Sequence, residues 1–345
     1  MTHDPATHPW RIHATNYPGH DAPAPERWKF LIGYALLAPS SHNSQPWIFR
    51  IQEERLLLQA DRTRALPVVD PHDRELTIAC GSALFNLRIA LRHFGYAPEI
   101  RTLPDAEHPD LLARVGFGTR KPPAHVENTL FGAIPRRHTN RSAFDKRAVD
   151  NAVLQRLVQA AAEEGAHLHP VKNPADRHAI AELIAEGDRM QHADKRFRRE
   201  LAKWLHPNRT HSHDGMPGWA VGIGDLMSYA GPFVVRTFDM GKSTAARDQD
   251  LAEHSPVLAV LCTPGDTPAD WLAAGQALQH VLLHATAADL AASFLNQPIE
   301  VEPLRPRLAR LIGTPGYPQM LVRLGHAPEA KPMPRRGVGE VLKPW

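Results

Sequence analysis

Apolar residues recur at helical spacing in several stretches of the chain. Side chains three and four positions apart lie on one face of a helix, so this pattern predicts amphipathic helices. The predicted helices cover residues 28–37, 77–94, 150–163, 176–205 and 267–292. Asp150 is a predicted N-cap of the third helix, and Gly165 is predicted to end it because glycine adopts positive φ at little cost.

Short runs of Val, Ile, Leu and Phe lie between the helices and predict strands with buried side chains. The predicted strands cover residues 47–51, 56–60, 114–118, 167–171, 257–261 and 320–325. Helices and strands in this arrangement predict an α+β fold with mixed central sheets and long helices. Proline-dense stretches predict arms and connections, so we expect residues 206–255 to be irregular and residues 326–345 to be extended.

Composition narrows the class of protein. The 345 residues are 43% hydrophobic and 22% charged, and 40 basic residues against 37 acidic ones give a net charge of +3. Because basic and acidic residues are nearly equal in number, the composition predicts no nucleic-acid partner. No apolar run approaches the roughly 20 residues of a membrane-spanning helix, and the first residues show no signal-peptide pattern. We therefore expect a cytoplasmic protein without a membrane partner.

Cysteines and histidines give no sign of a metal site. Cys80 and Cys262 lie far apart in apolar stretches, and we expect both thiols to be buried and unreactive. No Cys-x-x-Cys motif occurs. His206, His211 and His213 lie in a predicted loop without a carboxylate at helical spacing, which favours solvated side chains over metal ligands.

Two parts of the chain resemble each other. Residues 81–89 resemble residues 275–283, and Val115-Gly-Phe-Gly resembles Val322-Arg-Leu-Gly in two predicted strands. The order of helix, strand, central helix and strand also recurs. These matches predict an internal duplication, in which one chain imitates a two-fold dimer and works as a monomer.

The two halves differ in their polar motifs. Only the first contains the turn Ser-Ser-His-Asn-Ser-Gln-Pro at residues 40–46, and only the second opens with the basic segment at residues 136–141. We therefore expect one functional site per chain, assembled from both halves. The predicted organisation is an extended arm (1–25), a first half (26–125) and a second half (126–345) with an insertion at 206–255.

The basic segments are candidates for anion binding. Arg137, Thr139 and Arg141 lie close together in sequence, and the C-terminal tail adds Arg335 and Arg336. Guanidinium groups bind phosphate through paired, charge-assisted hydrogen bonds. By themselves these residues also suit a solvated basic surface, and the 40–46 turn also suits an ordinary polar turn.

Several motifs together resemble one family. Residues 38–47, Ala-Pro-Ser-Ser-His-Asn-Ser-Gln-Pro-Trp, resemble the signature turn of the FMN-dependent nitroreductases. Residues 137–141 resemble the opening basic segment of that family, residues 297–300 its flavin loop, and residues 316–336 its C-terminal segment. Two halves in a single chain resemble the Acg-like branch, and the resemblance extends over about residues 26–345.

The resemblance implies a nitroreductase-like fold with one FMN at the seam between the halves. It implies phosphate contacts from Arg137, Thr139, Arg335 and Arg336, and a contact of Arg141 with the N1/O2 edge of the ring. The turn would line the cofactor from the other half through Ser40, Ser41, His42, Asn43 and Gln45. Gln297 and Pro298 would flank the ring.

The implied activity is hydride transfer from NAD(P)H through FMN to nitro compounds or quinones. No catalytic acid or base is required by this chemistry, and none is assigned. An alternative is an Acg-like protein that stores or sequesters FMN with little turnover, and a third is a fold relic that has lost its flavin. The insertion at 206–255 is either a lid over the flavin or a peripheral loop, and the aromatic residues noted with it are Trp204, Trp219, Tyr229, Phe233 and Phe238.

Overall fold

The computed structural model describes residues 9–313 and 316–344, so residues 1–8 of the predicted arm lie outside it. The helices are α1 (Ala24–Ala35), α2 (Arg74–His93), α3 (His125–Ala133), α4 (Asn151–Ala162), α5 (Pro174–Ala193), α6 (Lys195–Lys203), α7 (Asp225–Ser228), α8 (Gly231–Thr237), α9 (Gly241–His254), α10 (Pro268–Ala287), α11 (Gln297–Glu300), α12 (Arg305–Ile312) and α13 (Val338–Val341). The strands are β1 (Trp47–Gln52), β2 (Arg55–Ala60), β3 (Tyr96–Thr102), β4 (Leu111–Arg120), β5 (His167–Pro170), β6 (Leu205–His206), β7 (Met216–Pro217), β8 (Val257–Thr263), β9 (Ala291–Phe294) and β10 (Tyr317–Gly325).

Two four-stranded sheets form the centre of the fold. Their strand orders are β1-β2-β4-β3 and β5-β8-β10-β9, and each pairs its neighbours antiparallel. The predicted α+β class is confirmed. Mixed sheets were predicted, but both central sheets are antiparallel throughout. Within the described ranges, the named strands pair in parallel only in the short β6–β7 ribbon.

Helices α2 and α10 join the two sheets, since they pack directly against each other. Ile78 of α2 belongs to the hydrophobic core of the second sheet, whereas Leu272 and Leu283 of α10 belong to that of the first. Each helix therefore buries apolar surface on both sides of the contact. This shared burial ties the two sheets into one body.

Two glycines at the contact between α2 and α10 leave no room for a side chain. A Cβ on Gly275 would lie 2.0 Å from the carbonyl oxygen of Ile78, and one on Gly81 would lie 2.3 Å from that of Leu272. The Ser82 hydroxyl donates to the carbonyl oxygen of Gly275 at 2.9 Å. Only a residue without a side chain allows the backbones to approach so closely.

Two long predicted helices end earlier than their apolar patterns. The helix expected over 176–205 breaks at Asp194, whose backbone is extended and whose carboxylate accepts a hydrogen bond from the Arg196 amide as the N-cap of α6. The helix expected over 267–292 ends at Ala287, and Asp289 has a positive φ of 55° that turns the chain into β9. The helix at Asn151–Ala162 is as predicted, with Asp150 as its N-cap and Gly165 at φ +76°.

The structure also contains elements that the sequence analysis missed. Strand β3 and helix α3 were not predicted. The segment 206–255 is only partly irregular, because it includes α7, α8 and the 14-residue α9. The tail was predicted to be extended throughout, and it contains the short helix α13.

Two predictions from composition can be compared with the structure directly. Cys80 and Cys262 are both free and buried, as predicted. Burial raises the pKa of the Cys262 thiol to about 12, so this thiol is protonated at neutral pH. None of the helices in the described ranges combines the length and apolar character that crossing a membrane requires.

Candidate functional site

A cavity of about 380 Å³ lies between the turn before β1 and the second sheet. Its walls come from residues 39–42, the first turns of α2, strands β9 and β10, α11, and residues 216–251. The volume falls in the range of roughly 300–1,000 Å³ typical of small-molecule sites. Segments that are distant in sequence therefore meet around one concave space.

The turn before β1 is held in an unusual conformation. His42, Asn43 and Gln45 all have positive φ angles between 51° and 56°, which is uncommon for residues other than glycine. The Asn43 amide donates to the carbonyl oxygens of Gly215 and Pro334 at 3.0 Å each. Contacts from distant parts of the chain thus fix this turn, and such strain is common where a backbone is shaped for a ligand.

The predicted site residues fall into two groups of equal size. Those that line the cavity are Ser40, Ser41, His42, Thr139, Arg141 and Gln297. Those that do not line it are Asn43, Gln45, Arg137, Pro298, Arg335 and Arg336. A hydrogen bond from the Arg335 guanidinium to the Asn43 side-chain oxygen joins the turn to the C-terminal segment. The structure therefore brings the turn and the basic segments together, while the role of each residue stays a prediction.

Arg137 and Arg335 form a buried cationic pair beside the cavity wall. Arg137 donates to the carbonyl oxygen of Leu37 at 3.0 Å, and Arg335 donates to that of Ala38 at 3.2 Å, directly before the wall residue Pro39. Burial lowers the pKa of Arg137 to about 10, and burial together with the Arg137 charge lowers the pKa of Arg335. The Nε atom of each guanidinium is buried without a hydrogen-bond partner.

This pair lacks a counter-charge, since neither guanidinium forms an ion pair with any residue in the described ranges. Two buried like charges are unfavourable unless an anion accompanies them. The donor set of paired guanidiniums is the one that binds phosphate most readily. The arrangement therefore fits a phosphate group of a ligand.

Arg336 is placed differently from its neighbour. Its guanidinium donates to the carbonyl oxygens of Gln45, Trp47 and Glu340, and lies 3.7 Å from the Asp61 carboxylate. This side chain therefore has partners within the protein. Its predicted contact with phosphate stays a prediction that the present geometry does not favour.

A second cationic group faces the cavity from the side of the second sheet. Burial lowers the pKa of Arg141 to about 10 and that of Arg323 to about 10, and both lie near Arg247 and Asp248. The Nε and Nη1 atoms of Arg323 are buried without a partner. Arg141 and Arg323 thus place positive charge at the cavity wall, with Asp248 as a nearby negative charge.

Two carboxylates lie close to these arginines in the cavity wall. The Gln297 amide donates to Asp188 on α5 at 3.1 Å and to Asp248 on α9 at 3.0 Å, so it bridges the two side chains. The second oxygen of Asp188 is buried without a partner. Burial and the nearby Asp248 charge raise the pKa of Asp188 to about 7, so its carboxyl is partly protonated near neutral pH.

A further pair of carboxylates lies near the turn. The Ser41 hydroxyl donates to Glu75 at the start of α2, and the Gln191 amide donates to Glu300 on α11 at 2.6 Å. Burial and the Glu75 charge raise the pKa of Glu300 well above its usual range. The predicted ligand hydroxyl of Ser41 is therefore engaged with the protein itself.

The segment 206–255 covers part of the cavity. Its apolar side chains in the lining are Met216, Val221, Ile223, Val235, Met240 and Leu251. The aromatic residues singled out in the sequence do not line the cavity, and Tyr229, Phe233 and Phe238 are more than half exposed. The inner face of this segment thus combines these aliphatic side chains with Thr244, Arg247 and Asp248, and its aromatic side chains do not reach the cavity.

Comparison with known proteins identifies the family. The family model described as "Nitroreductase family" matches residues 134–326. The chain is 31% identical over 326 residues to the Mycobacterium tuberculosis (strain ATCC 25618 / H37Rv) protein Rv3131, whose name assigns it provisionally as an NAD(P)H nitroreductase. That match covers 93% of this chain and 92% of the relative. The chain belongs to the nitroreductase family.

A second nitroreductase relative has similar length and similarity. The protein Acg of the same strain, also named provisionally as an NAD(P)H nitroreductase, is 30% identical over 322 residues. The match covers 91% of this chain and 94% of Acg. The predicted family is confirmed, since both relatives match more than nine-tenths of the chain at 30% identity or more.

Solved nitroreductases are similar over part of the fold. An FMN- and NADPH-dependent nitroreductase, NfnB from sphigopyxis sp. strain HMH, is 21% identical with a TM-score of 0.42, covering 63% of this chain and 98% of that one. A nitroreductase with bound FMN from Bacteroides fragilis NCTC 9343 is 16% identical with a TM-score of 0.37, covering 59% and 90%. Similarity at this level places no ligand in this chain.

Some side chains of this nitroreductase cavity were not predicted. Arg323 offers a signal in retrospect, because it is a charged residue inside the apolar run of β10. Asp188, Glu75 and Glu300 offer none, since charged residues are ordinary on helices. Their burial depends on neighbours from other elements, which a single sequence does not show.

Proposed function

We propose that this chain binds one FMN in the cavity and uses it to transfer reducing equivalents from NAD(P)H to nitro compounds or quinones. Family membership and the names of the relatives support this function. The observation that carries the proposal is the Arg137–Arg335 pair, with two buried Nε donors and no carboxylate partner within the described ranges, next to a cavity of ligand size.

The phosphate of FMN would be held at the end of the cavity near this pair. Arg137 and Arg335 supply charge-assisted donors, and Thr139 in the cavity wall supplies a hydroxyl. A phosphate dianion would offset the repulsion between the two buried guanidiniums. These residues thus have a physical reason to bind FMN more tightly than a flavin without phosphate.

The ring would lie between the two sheets. Arg141 and Arg323 place positive charge at the wall of the cavity, while Ser40 and His42 line it from the turn. Gln297 lines the cavity, and Pro298 follows it in α11, where the two residues would flank the ring. When bound, FMN supplies the hydride-transfer chemistry, and the protein supplies position and charge.

We further propose that the two sheets arose by duplication and that one monomer carries one site. The equal strand orders and the contact between Gly81 and Gly275 support a pseudo-two-fold arrangement. The halves would correspond to residues 26–125 and 126–345. Only their combination supplies both the turn and the basic segments.

A visible absorption spectrum of the purified protein tests FMN binding, and oxidation of NADH or NADPH with nitrofurazone or menadione tests turnover. We expect a yellow protein that oxidises a nicotinamide in the presence of either acceptor. A colourless protein that takes up no added FMN would contradict the proposal.

FMN storage is a second candidate function, favoured by one observation. Aliphatic side chains of the segment 206–255 line the cavity, so this segment is placed to act as a lid that restricts access. Bound FMN that supports no nicotinamide oxidation with either acceptor would favour storage. Turnover with either acceptor would favour the reductase.

A further inference from the structure

Trp10 lies against the buried cationic pair, although it is outside the residues that the family model matches. The centroid of its ring is 4.8 Å from the guanidinium carbon of Arg335 and 4.3 Å from the His138 ring. The indole nitrogen donates to the carbonyl oxygen of Met333 at 2.7 Å. The N-terminal arm is thereby attached to the segment that carries Arg335.

The arm is also fixed to the first helix. A Cβ on Gly33 of α1 would lie 2.6 Å from the Ile12 side chain, so this glycine leaves room for the arm. Both Trp10 and Ile12 pack against the hydrophobic core of the first sheet. Trp10 is therefore held next to the cationic pair by its hydrogen bond to Met333 and by packing of the arm against the first core.

The charges around Trp10 explain why an aromatic ring is suited to this position. Burial and the charges of Arg137 and Arg335 lower the pKa of His138 to about 3, so this imidazole adds no third positive charge. A desolvated guanidinium next to an aromatic face is stabilised by cation–π attraction. Unlike a carboxylate, the ring stabilises Arg335 without neutralising it, which leaves the charge available to an anion.

We propose that Trp10 is a positioning residue that holds Arg335 for the phosphate end of the bound flavin, and that it helps the site to select FMN over riboflavin. This inference rests on the proposed function. The two buried Nε donors lie where phosphate would be held, and Trp10 contacts one of these two guanidiniums directly. Its effect should therefore depend on whether the flavin carries phosphate.

The test is titration of the flavin-free full-length protein with FMN and with riboflavin, followed by flavin fluorescence. We expect Trp10→Ala and Trp10→Leu to weaken FMN binding by about five- to tenfold, with riboflavin affinity unchanged within about twofold. Trp10→Phe retains an aromatic face and should stay within about threefold of wild type for FMN. A matched control is Trp271→Ala, since Trp271 is half-buried at the start of α10 and donates to Asp266 instead.

Equal losses for FMN and riboflavin in the Trp10 variants would overturn the inference, because they would show a general packing role. Unchanged FMN binding by Trp10→Leu would also overturn it. If Trp10→Ala does not fold, the comparison of Leu with Phe decides the question. A wild-type protein that binds neither flavin would instead contradict the proposed function.

Discussion

The first and second sheets share one strand order but differ in what connects their strands. Between β1 and β2 the chain makes a short hairpin, whereas between β5 and β8 it forms α5, α6, α7, α8 and α9. The helix before β1 leads into the strained turn of residues 40–46. The helix before β5 ends at Ala162, and a short turn with Gly165 leads from it into the strand. Similar sheets therefore carry very different connections.

The two sheets thus form the scaffold, whereas the connections between their strands differ and carry most of the candidate functional side chains. The turn in the cavity wall comes from the side of the first sheet. The arginines in the wall and the covering segment, residues 206–255, come from the side of the second sheet. Functional side chains on connections over a rigid scaffold are common, because loops can change without loss of the core. Changes to the scaffold and to its connections should therefore have unequal effects on ligand binding and on stability.

The largest effect is expected at the cationic pair. Arg137→Ala removes a buried charge-assisted donor and should weaken FMN binding by about 1.5–3 kcal/mol, or roughly 10- to 150-fold. Arg136→Ala is the matched control, because Arg136 is the adjacent arginine and forms an exposed ion pair with Asp289. Isothermal titration of the flavin-free protein measures both. Equal affinities for the two variants would place the phosphate elsewhere.

The contact between α2 and α10 tests the pseudo-symmetric frame. Gly275→Ala places a Cβ 2.0 Å from the Ile78 carbonyl oxygen and should lower the free energy of unfolding by about 1–3 kcal/mol. Gly132→Ala is the control, since a Cβ there meets no atom within 4 Å. It should raise helix stability by roughly 0.5–1 kcal/mol. Denaturant unfolding that fails to separate the two variants would contradict the close approach.

Asp188 tests how the covering segment is joined to the second sheet. Its pKa is raised from 3.8 to about 7, so between these values the folded chain holds a proton that the unfolded chain releases. The free energy of unfolding should therefore fall as pH rises, by roughly 1–2 kcal/mol between pH 5.5 and 7. Asp188→Asn should remove this part of the pH dependence, which denaturant unfolding at several pH values measures.

The comparison between wild type and Asp188→Asn is essential here because other groups titrate in the opposite sense. Burial lowers the pKa of His42 to about 4 and that of His138 to about 3, and both changes add stability as pH rises. The difference between the two proteins isolates Asp188. Parallel pH profiles would show that this carboxyl is not protonated in the folded chain.

The smallest effect is expected on the outer face of the covering segment. Leu226 is 87% exposed and Phe233 is 56% exposed. Replacement of either by Ser should change the free energy of unfolding by no more than about 0.5 kcal/mol. A loss of several kcal/mol in thermal or denaturant unfolding would mean that this face packs against the rest of the chain.

Parts of the fold with a strong local pattern were predictable. The β1–β2 hairpin and helix α2 follow from apolar spacing, because large hydrophobic side chains such as Phe49, Leu57 and Leu84 recur at their buried positions. Strand β3 was missed because it is an edge strand with exposed side chains and Pro98 in its middle. Helix α9 was missed because it meets α5 through small residues such as Ala245 and Ala252, which give a weak pattern.

In the site, too, local motifs were predictable from the sequence, whereas features that depend on tertiary neighbours were not. The motifs around residues 40–46 and 137–141 identified two segments that contribute to the cavity wall, because together they resemble the family's motifs. The burial of Arg137, the unpaired atoms of Arg323 and the raised pKa of Asp188 arise from tertiary neighbours. A sequence shows which groups are present, whereas their environment follows only from the fold.

The central claim is that two similar sheets with unequal connections make a single flavin site. The most direct test is the molar ratio of FMN to chain in saturated, desalted protein, from flavin absorbance and total protein. The account predicts one FMN per chain, with loss of that FMN when Arg137 is replaced. Two equivalent flavins per chain, or none after incubation with excess FMN, would contradict it.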